Sequence, residues 1–253
     1  MAKTYTSLLI ALLLPLLHCF AQDTGAIDAM IQPLEEAYSI RIHYAFDPAA
    51  YFPEEWAAPS IAATGRQADL VEVQRIIPII QAFLANHPAT VVQNNLEHIY
   101  LLGELVCGGR EYGSTHTDKS IYLPCKTVEE GYTSAFLEQR LHSEFSSLLF
   151  NLHTFPAAPW LAVNPAGFRY SGTGFEMLRD PLRFDATESY RTDGFLLKYS
   201  RSSLENDFNM ISAWMFTQPG LLDWVCQQYP RIQQKKTIAE NFYRSISSEY
   251  AFP

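Results

Sequence analysis

Glu144 sits in the run Leu141-His142-Ser143-Glu144-Phe145-Ser146-Ser147-Leu148-Leu149, inside a segment with helical apolar spacing. Aligned on its glutamate, Ser143-Glu144-x-x-Ser147 has the form of the motif H-E-x-x-H with serine at both histidine positions. The full motif puts two imidazoles one helical turn apart so that both face a single Zn²⁺. A carboxylate beside them takes a proton from metal-bound water. A serine hydroxyl is a poor zinc ligand, so losing both imidazoles removes high affinity. What is left is Glu144 at the general-base position, with Ser143 and Ser147 at the lost ligand positions.

The nearby histidines do not restore the set. At about 100° per residue, His142 and His153 fall on one side of the helix, roughly 160–180° from Glu144. The same segment also reads as an amphipathic core helix, with Leu137, Leu141, Phe145, Leu148 and Leu152 along one stripe. A second acidic segment, Ser200-Arg-Ser-Ser-Leu-Glu-Asn-Asp-Phe-Asn209, follows about sixty residues later and brings Glu205 and Asp207. Ser202-x-x-Glu205 there also has the form of a capping box, which needs no metal. An ion held by Glu144, Glu205, Asp207 and a histidine such as His116 would be an oxygen-dominated site, favouring Ca²⁺ or Mg²⁺ over zinc.

Other routes to hydrolysis are absent. No G-x-S-x-G elbow surrounds any serine. Gly108-Gly109 and Gly172-x-Gly174 lack the strand-to-helix context of a phosphate loop or dinucleotide fingerprint. Cys107, Cys125 and Cys226 show no zinc-knuckle spacing; Cys107 and Cys125 could pair across a hairpin, leaving Cys226 buried and free.

The elements that must position these residues are legible from period and punctuation. Tyr38 to Ala45 alternates as a strand, and His98 to Leu102 and Ser120 to Leu123 read as two more. Leu70 to Leu84 is a helix in which Pro78 marks a kink or the true start. Thr133 or Ser134 caps the Glu144 helix, which runs to about His153. Further helices start near Ser202 or Ser203 and cover about Ile232 to Ser248. Strands first and helices after give an α+β domain, a small sheet against the Glu144 helix followed by a helical C-terminal part.

The N-terminus has the form of an export signal. Lys3 precedes the apolar run Leu8 to Leu17, and Ala21 ends the segment, so residues 1–21 read as a signal peptide and 22–253 as one domain. Lipid attachment at Cys19 is the competing reading, disfavoured by His18 before it. Removing residues 1–21 removes one lysine and no acid, taking the net charge from −9 to about −10. An acidic exported chain carries no electrostatic footprint for nucleic acid, and nothing after the signal is apolar enough for a membrane span.

Taken with Trp160…Asn164-Pro165-x-Gly167-Phe168-x-Tyr170, the two acidic segments give the chain a resemblance. It resembles the zincin-like zinc-binding metallopeptidases, also described as substrate-import-associated zinc metallohydrolases, exported by Bacteroidetes-type bacteria. The resemblance implies a zincin-like α+β domain in the periplasm or at the outer membrane, beside nutrient-uptake proteins. It implies Glu144 as general base, Glu205 as third metal ligand and Asp207 as the acid supporting it. Serine at 143 and 147 departs from that pattern. It implies a protein without catalytic zinc that binds a peptide or glycan, or, if active, a zinc hydrolase.

Overall fold

In a computed structural model the described residues are 24–172, 177 and 180–252. The signal segment 1–21 lies outside them. The chain opens with helix α1 over residues 24–38. It continues through β1 (Arg41–His43), β2 (Thr64–Gln67), α2 (Leu70–Ala85), α3 (Ala89–Asn95), β3 (His98–Cys107), β4 (Arg110–Glu111), β5 (Thr115–Thr117) and β6 (Ser120–Pro124). The helical part follows: α4 (Ser134–Leu152), α5 (Ala157–Val163), α6 (Glu188–Thr192), α7 (Leu204–Thr217), α8 (Pro219–Gln228) and α9 (Pro230–Ile246). The architecture is α+β, as the order of elements predicts.

β3 is the spine of a mixed six-stranded sheet. Its first half is parallel to β1 and to β6, and its second half pairs antiparallel with β2 and β4. β5 is antiparallel to β6 and leaves one edge of the sheet open. The strand expected at His98 to Leu102 extends to Cys107 because Gly108 and Gly109, at φ +57° and +69°, fold the chain back so that Cys107 pairs with Arg110. Residues alternate along the first part of β3, and a register shift opposite Arg66 and Gln67 changes the parity beyond Leu102. Ile99 and Leu101 face the main core, while Tyr100, Leu102, Leu105 and Cys107 face a second cluster covered by Phe52, Trp56 and Ile61.

Those two clusters separate the two cysteines expected to pair. Cys107 belongs to the outer cluster and Cys125 to the main core, and both are free, as is Cys226. Other expectations shift in bounds. The strand placed at Tyr38 to Ala45 is only Arg41–His43, because Tyr38 still belongs to α1. α2 runs unbroken past Pro78, which is exposed, so the carbonyl left without a proline N–H faces the outer side. The last helix, expected at about Ile232 to Ser248, is Pro230–Ile246, and an unexpected helix, Pro219–Gln228, precedes it.

α4 packs against α7, α2, β5 and β6 and forms the centre of the domain. Its stripe of Leu137, Leu141, Phe145, Leu148 and Leu149 is buried, while Leu152 at the end is 44% exposed. Thr133 caps it by accepting from the Phe136 amide. His142 and His153 do lie away from Glu144: His142 hydrogen-bonds buried His87 at 3.1 Å, and His153 meets Asn95 at 2.8 Å. Among the described residues no helix is long and apolar enough to cross a membrane.

Candidate functional site

A cleft of about 500 Å³ opens between α4, α7 and the β4–β5 segment. Glu144, Ser147, Glu205 and His116 all line it, together with Ser114, Arg140, Asn206 and Asn209. Its walls carry the rings of Tyr112, Tyr132, Phe136, Phe184 and Tyr199. Three of the four residues expected to converge therefore do so. Ser143 does not; it is buried to one side, and its Oγ has no partner among the described residues.

Glu144 is 5% exposed, and both its oxygens are taken. Arg140, one turn earlier on α4, donates from Nη2 to Oε1 at 2.6 Å, and Ser114 Oγ donates to the same oxygen at 2.6 Å. Arg140 Nε also donates to Ser114 Oγ at 2.7 Å, closing a three-residue ring. On the other side His116 Nδ1 lies 2.8 Å from Oε2. Burial alone would raise the Glu144 pKa. The Arg140 charge, the His116 hydrogen bond and charge, and the Ser114 hydroxyl outweigh it and hold the carboxyl at about 2.

His116 reaches the site from β5 and bridges the two acidic helices. Its Nε2 is 3.7 Å from Glu205 Oε1 and 3.3 Å from Asn151 Nδ2. Burial disfavours its charged form, but the hydrogen bond and charge of Glu144, with Glu205 beyond, raise its pKa. Glu205 is 34% exposed at the cleft side. It is not held in a capping box: Ser203 is the N-cap of α7 and accepts from the Asn206 amide. Ser202 instead donates to Tyr199 O at 2.7 Å and accepts from Asn206 Nδ2 at 2.8 Å.

Ser147 contributes only a neutral contact, accepting from Asn209 Nδ2 at 3.2 Å. These side chains do not fit a zinc site. Hydroxyls stand at both imidazole positions, and a guanidinium is hydrogen-bonded to the carboxylate that would face the metal-bound water. Among the described residues no group of three His, Cys, Asp or Glu side chains is arranged to hold a metal ion.

Asp207 lies outside the cleft lining, on the far side of α7, fully buried. Its Oδ2 accepts from Lys235 Nζ at 2.6 Å, Trp160 Nε1 at 2.9 Å and Tyr170 OH at 2.8 Å. Burial pushes the Asp207 carboxyl up and the Lys235 ammonium down, while each opposes the other's shift. The Trp160 and Tyr170 segment singled out in the sequence thus meets the Glu205–Asp207 segment at one oxygen.

Sequence reasoning named Glu144, Ser147, Glu205 and His116, and missed Arg140, Ser114 and the Lys235 partner of Asp207. Arg140 had a usable signal. An arginine four residues before a glutamate on a helix faces it. Ser114 and Lys235 had none, since each arrives through tertiary contact.

No protein-family model matches the chain. No curated protein matches it. A search of solved structures finds a crystal structure described as a "putative zinc-binding metallo-peptidase from Bacteroides caccae ATCC 43185". The alignment covers 90% of this chain and 92% of that one, with a TM-score of 0.55 and 14% sequence identity. At that identity the likeness bears on architecture alone. This chain has a zincin-like, metallopeptidase-type fold.

Proposed function

We propose that this chain is an exported zincin-fold binding protein that does not use catalytic zinc and serves as an accessory of outer-membrane nutrient uptake. In this reading residues 1–21 are removed and residues 22–253 act as one domain in the periplasm or at the cell surface. The observation that carries it is the state of Glu144. A general base needs a free lone pair and a pKa near the working pH. Glu144 has both oxygens engaged and a pKa of about 2. Arg140 gives it the positive charge that a metal would otherwise supply.

The resemblance in sequence motifs supports export and an uptake setting. The cleft supports retained binding, because its volume and aromatic walls persist without the ligand set.

Metal analysis of purified 22–253 tests the reading. We expect zinc far below one equivalent and no peptidase signal sensitive to chelators. Stoichiometric zinc, removed by chelator together with a peptidase activity, overturns it.

A second reading has one observation in its favour: His116 already stands between Glu144 and Glu205. A hydrolase holding a metal through these three would need Arg140 displaced from Glu144. Binding of Zn²⁺, Ca²⁺ or Mg²⁺ to the unaltered protein in calorimetry, lost in Glu205→Ala, would favour it.

A further inference from the structure

We infer that His43 and His98 together hold a divalent transition-metal ion, Cu²⁺ ahead of Ni²⁺ or Zn²⁺, with water completing the coordination. This site is separate from the cleft and stands whether or not the cleft binds anything.

The two histidines come from neighbouring parallel strands. His43 ends β1 opposite Tyr100, and His98 opens β3 opposite Arg41. They therefore sit one diagonal step apart on the same face of the sheet, within reach of each other. Both are half-buried, so an ion can approach from solvent. Strand β6 separates β3 from β5, which carries His116, and neither His43 nor His98 lines the cleft.

Their facing nitrogens, Nε2 of His43 and Nδ1 of His98, are 3.1 Å apart. Two imidazole nitrogens bound to one ion, each about 2.0–2.1 Å from it, lie about 2.8–3.4 Å apart in square-planar to tetrahedral geometry. The spacing is thus already that of a chelate. With no ion bound, one proton lies between the two nitrogens. Moving it to the outer nitrogen of its own ring changes no net charge and leaves two lone pairs toward the same space. The His43 ring is held in place, stacked on Tyr100 with centroids 4.6 Å apart and edge-on to Phe46 at 6.2 Å. A ring so held loses little freedom when it binds. Burial, with His98 beside it, lowers the His43 pKa, so that ring is uncharged at its ordinary value of 6.5 and above, the form a metal needs.

The ligand set selects the ion. Glu35, from α1, does not join: its Oε1 accepts from the Ile42 amide at 2.8 Å and its Oε2 from Arg41 at 3.2 Å. Among the described residues no third His, Cys, Asp or Glu completes the pair. Two imidazoles without a carboxylate disfavour Ca²⁺ and Mg²⁺, which want oxygen, and favour the late first-row ions, of which Cu²⁺ binds nitrogen most tightly. Two protein ligands hold an ion more loosely than the three or four of a zinc centre, so the ion is supplied in the test.

Cu²⁺ calorimetry and electron paramagnetic resonance on untagged 22–253 test this, with Zn²⁺ as the diamagnetic probe in nitrogen NMR of the imidazoles. We expect one Cu²⁺ per chain with nitrogen hyperfine structure, and shifts on Zn²⁺ addition at Nε2 of His43 and Nδ1 of His98. His43→Gln and His98→Gln should each weaken Cu²⁺ binding at least about tenfold, whereas His116→Gln and Glu205→Ala should leave it unchanged. Thermal unfolding checks that the variants remain folded, and the spectra of the unaltered protein answer for any that does not. Absence of Cu²⁺ binding, or binding unchanged in either His43→Gln or His98→Gln, overturns the inference. So does binding that survives both and is lost in Glu205→Ala or His116→Gln, which places the metal in the cleft.

Discussion

Arg140 stands one helical turn ahead of Glu144, and its guanidinium reaches back to the carboxylate at 2.6 Å. The two side chains are 16% and 7% exposed, so the pair is screened little by solvent. It is a cation supplied by the same helix that carries the glutamate, one residue ahead of Leu141 on the buried stripe. The pair fixes the orientation of Glu144, and with Ser114 and His116 it ties α4 to the β5 edge.

Breaking that pair from one side should be costly. Arg140→Ala leaves Glu144 buried without its main countercharge, and we expect a loss of about 3–5 kcal/mol in chemical denaturation. Arg140→Met combined with Glu144→Gln removes both charges and should recover most of the loss. Equal destabilisation in the single and double variants would show that packing, and not charge pairing, sets the value.

The pair also predicts how a metal site could be rebuilt. Ser143→His with Ser147→His restores the imidazoles but leaves the guanidinium on the carboxylate. Adding Arg140→Met should tighten Zn²⁺ or Co²⁺ binding by about 10–100-fold over the double variant. Cobalt absorption spectra and competition with a chelator read the affinity. If the triple variant binds no metal, α4 does not present residues 143 and 147 as the motif requires.

Stability should depend on pH in two opposite senses. The folded pKa of Glu144, about 2, is below its ordinary value of 4.5, so its contribution is present above 4.5 and is lost as pH falls toward 2. The folded pKa of His116 is raised above its ordinary 6.5, so its contribution is full below 6.5 and is lost as pH rises through the folded value. The two coexist between those ordinary values, 4.5 and 6.5. His116→Gln should flatten the alkaline side of the unfolding temperature against pH and, because His116 also helps hold the Glu144 carboxyl down, move the acid loss to higher pH. An unchanged alkaline slope would remove His116 as its source.

The buried pair on the other side of α7 should behave differently from the cleft. Asp207→Ala strands Lys235, which is 0% exposed, and should cost about 3–5 kcal/mol. Asp207→Leu with Lys235→Met should regain most of it. Ligand binding in the cleft should survive in whatever fraction remains folded, since Asp207 does not line it. A selective loss of binding in a folded double variant would tie Asp207 to the site.

Much of this was legible in residue order, for identifiable reasons. The period of α4 and α7 and the Thr133 cap follow from local spacing, as does the placement of His142 and His153 away from Glu144. α3 was missed because it is short and has no side-chain cap; α1 was missed although Ile27, Ile31, Leu34 and Tyr38 form an apolar stripe at helical spacing. Ser202 was misassigned as the cap because Ser202 and Ser203 both precede an acidic first turn, and only the fold puts Tyr199 O within reach of Ser202. The pairing of Cys107 with Cys125 failed for want of one fact, the side of β3 on which each thiol lies. Residues that meet Glu144 from β5 are separated from it by the whole β5–β6 hairpin, and no local pattern encodes that approach.

The single Asp207 oxygen that accepts from Trp160, Tyr170 and Lys235 also sets an order of assembly. Its three donors come from segments before and after α7, and the only cation among them is in the last helix. A chain emerging from synthesis or crossing a membrane would hold Asp207 without a countercharge until residue 235 was free. The helical half therefore closes late, and a chain cut short before α9 would lose its centre as well as its end.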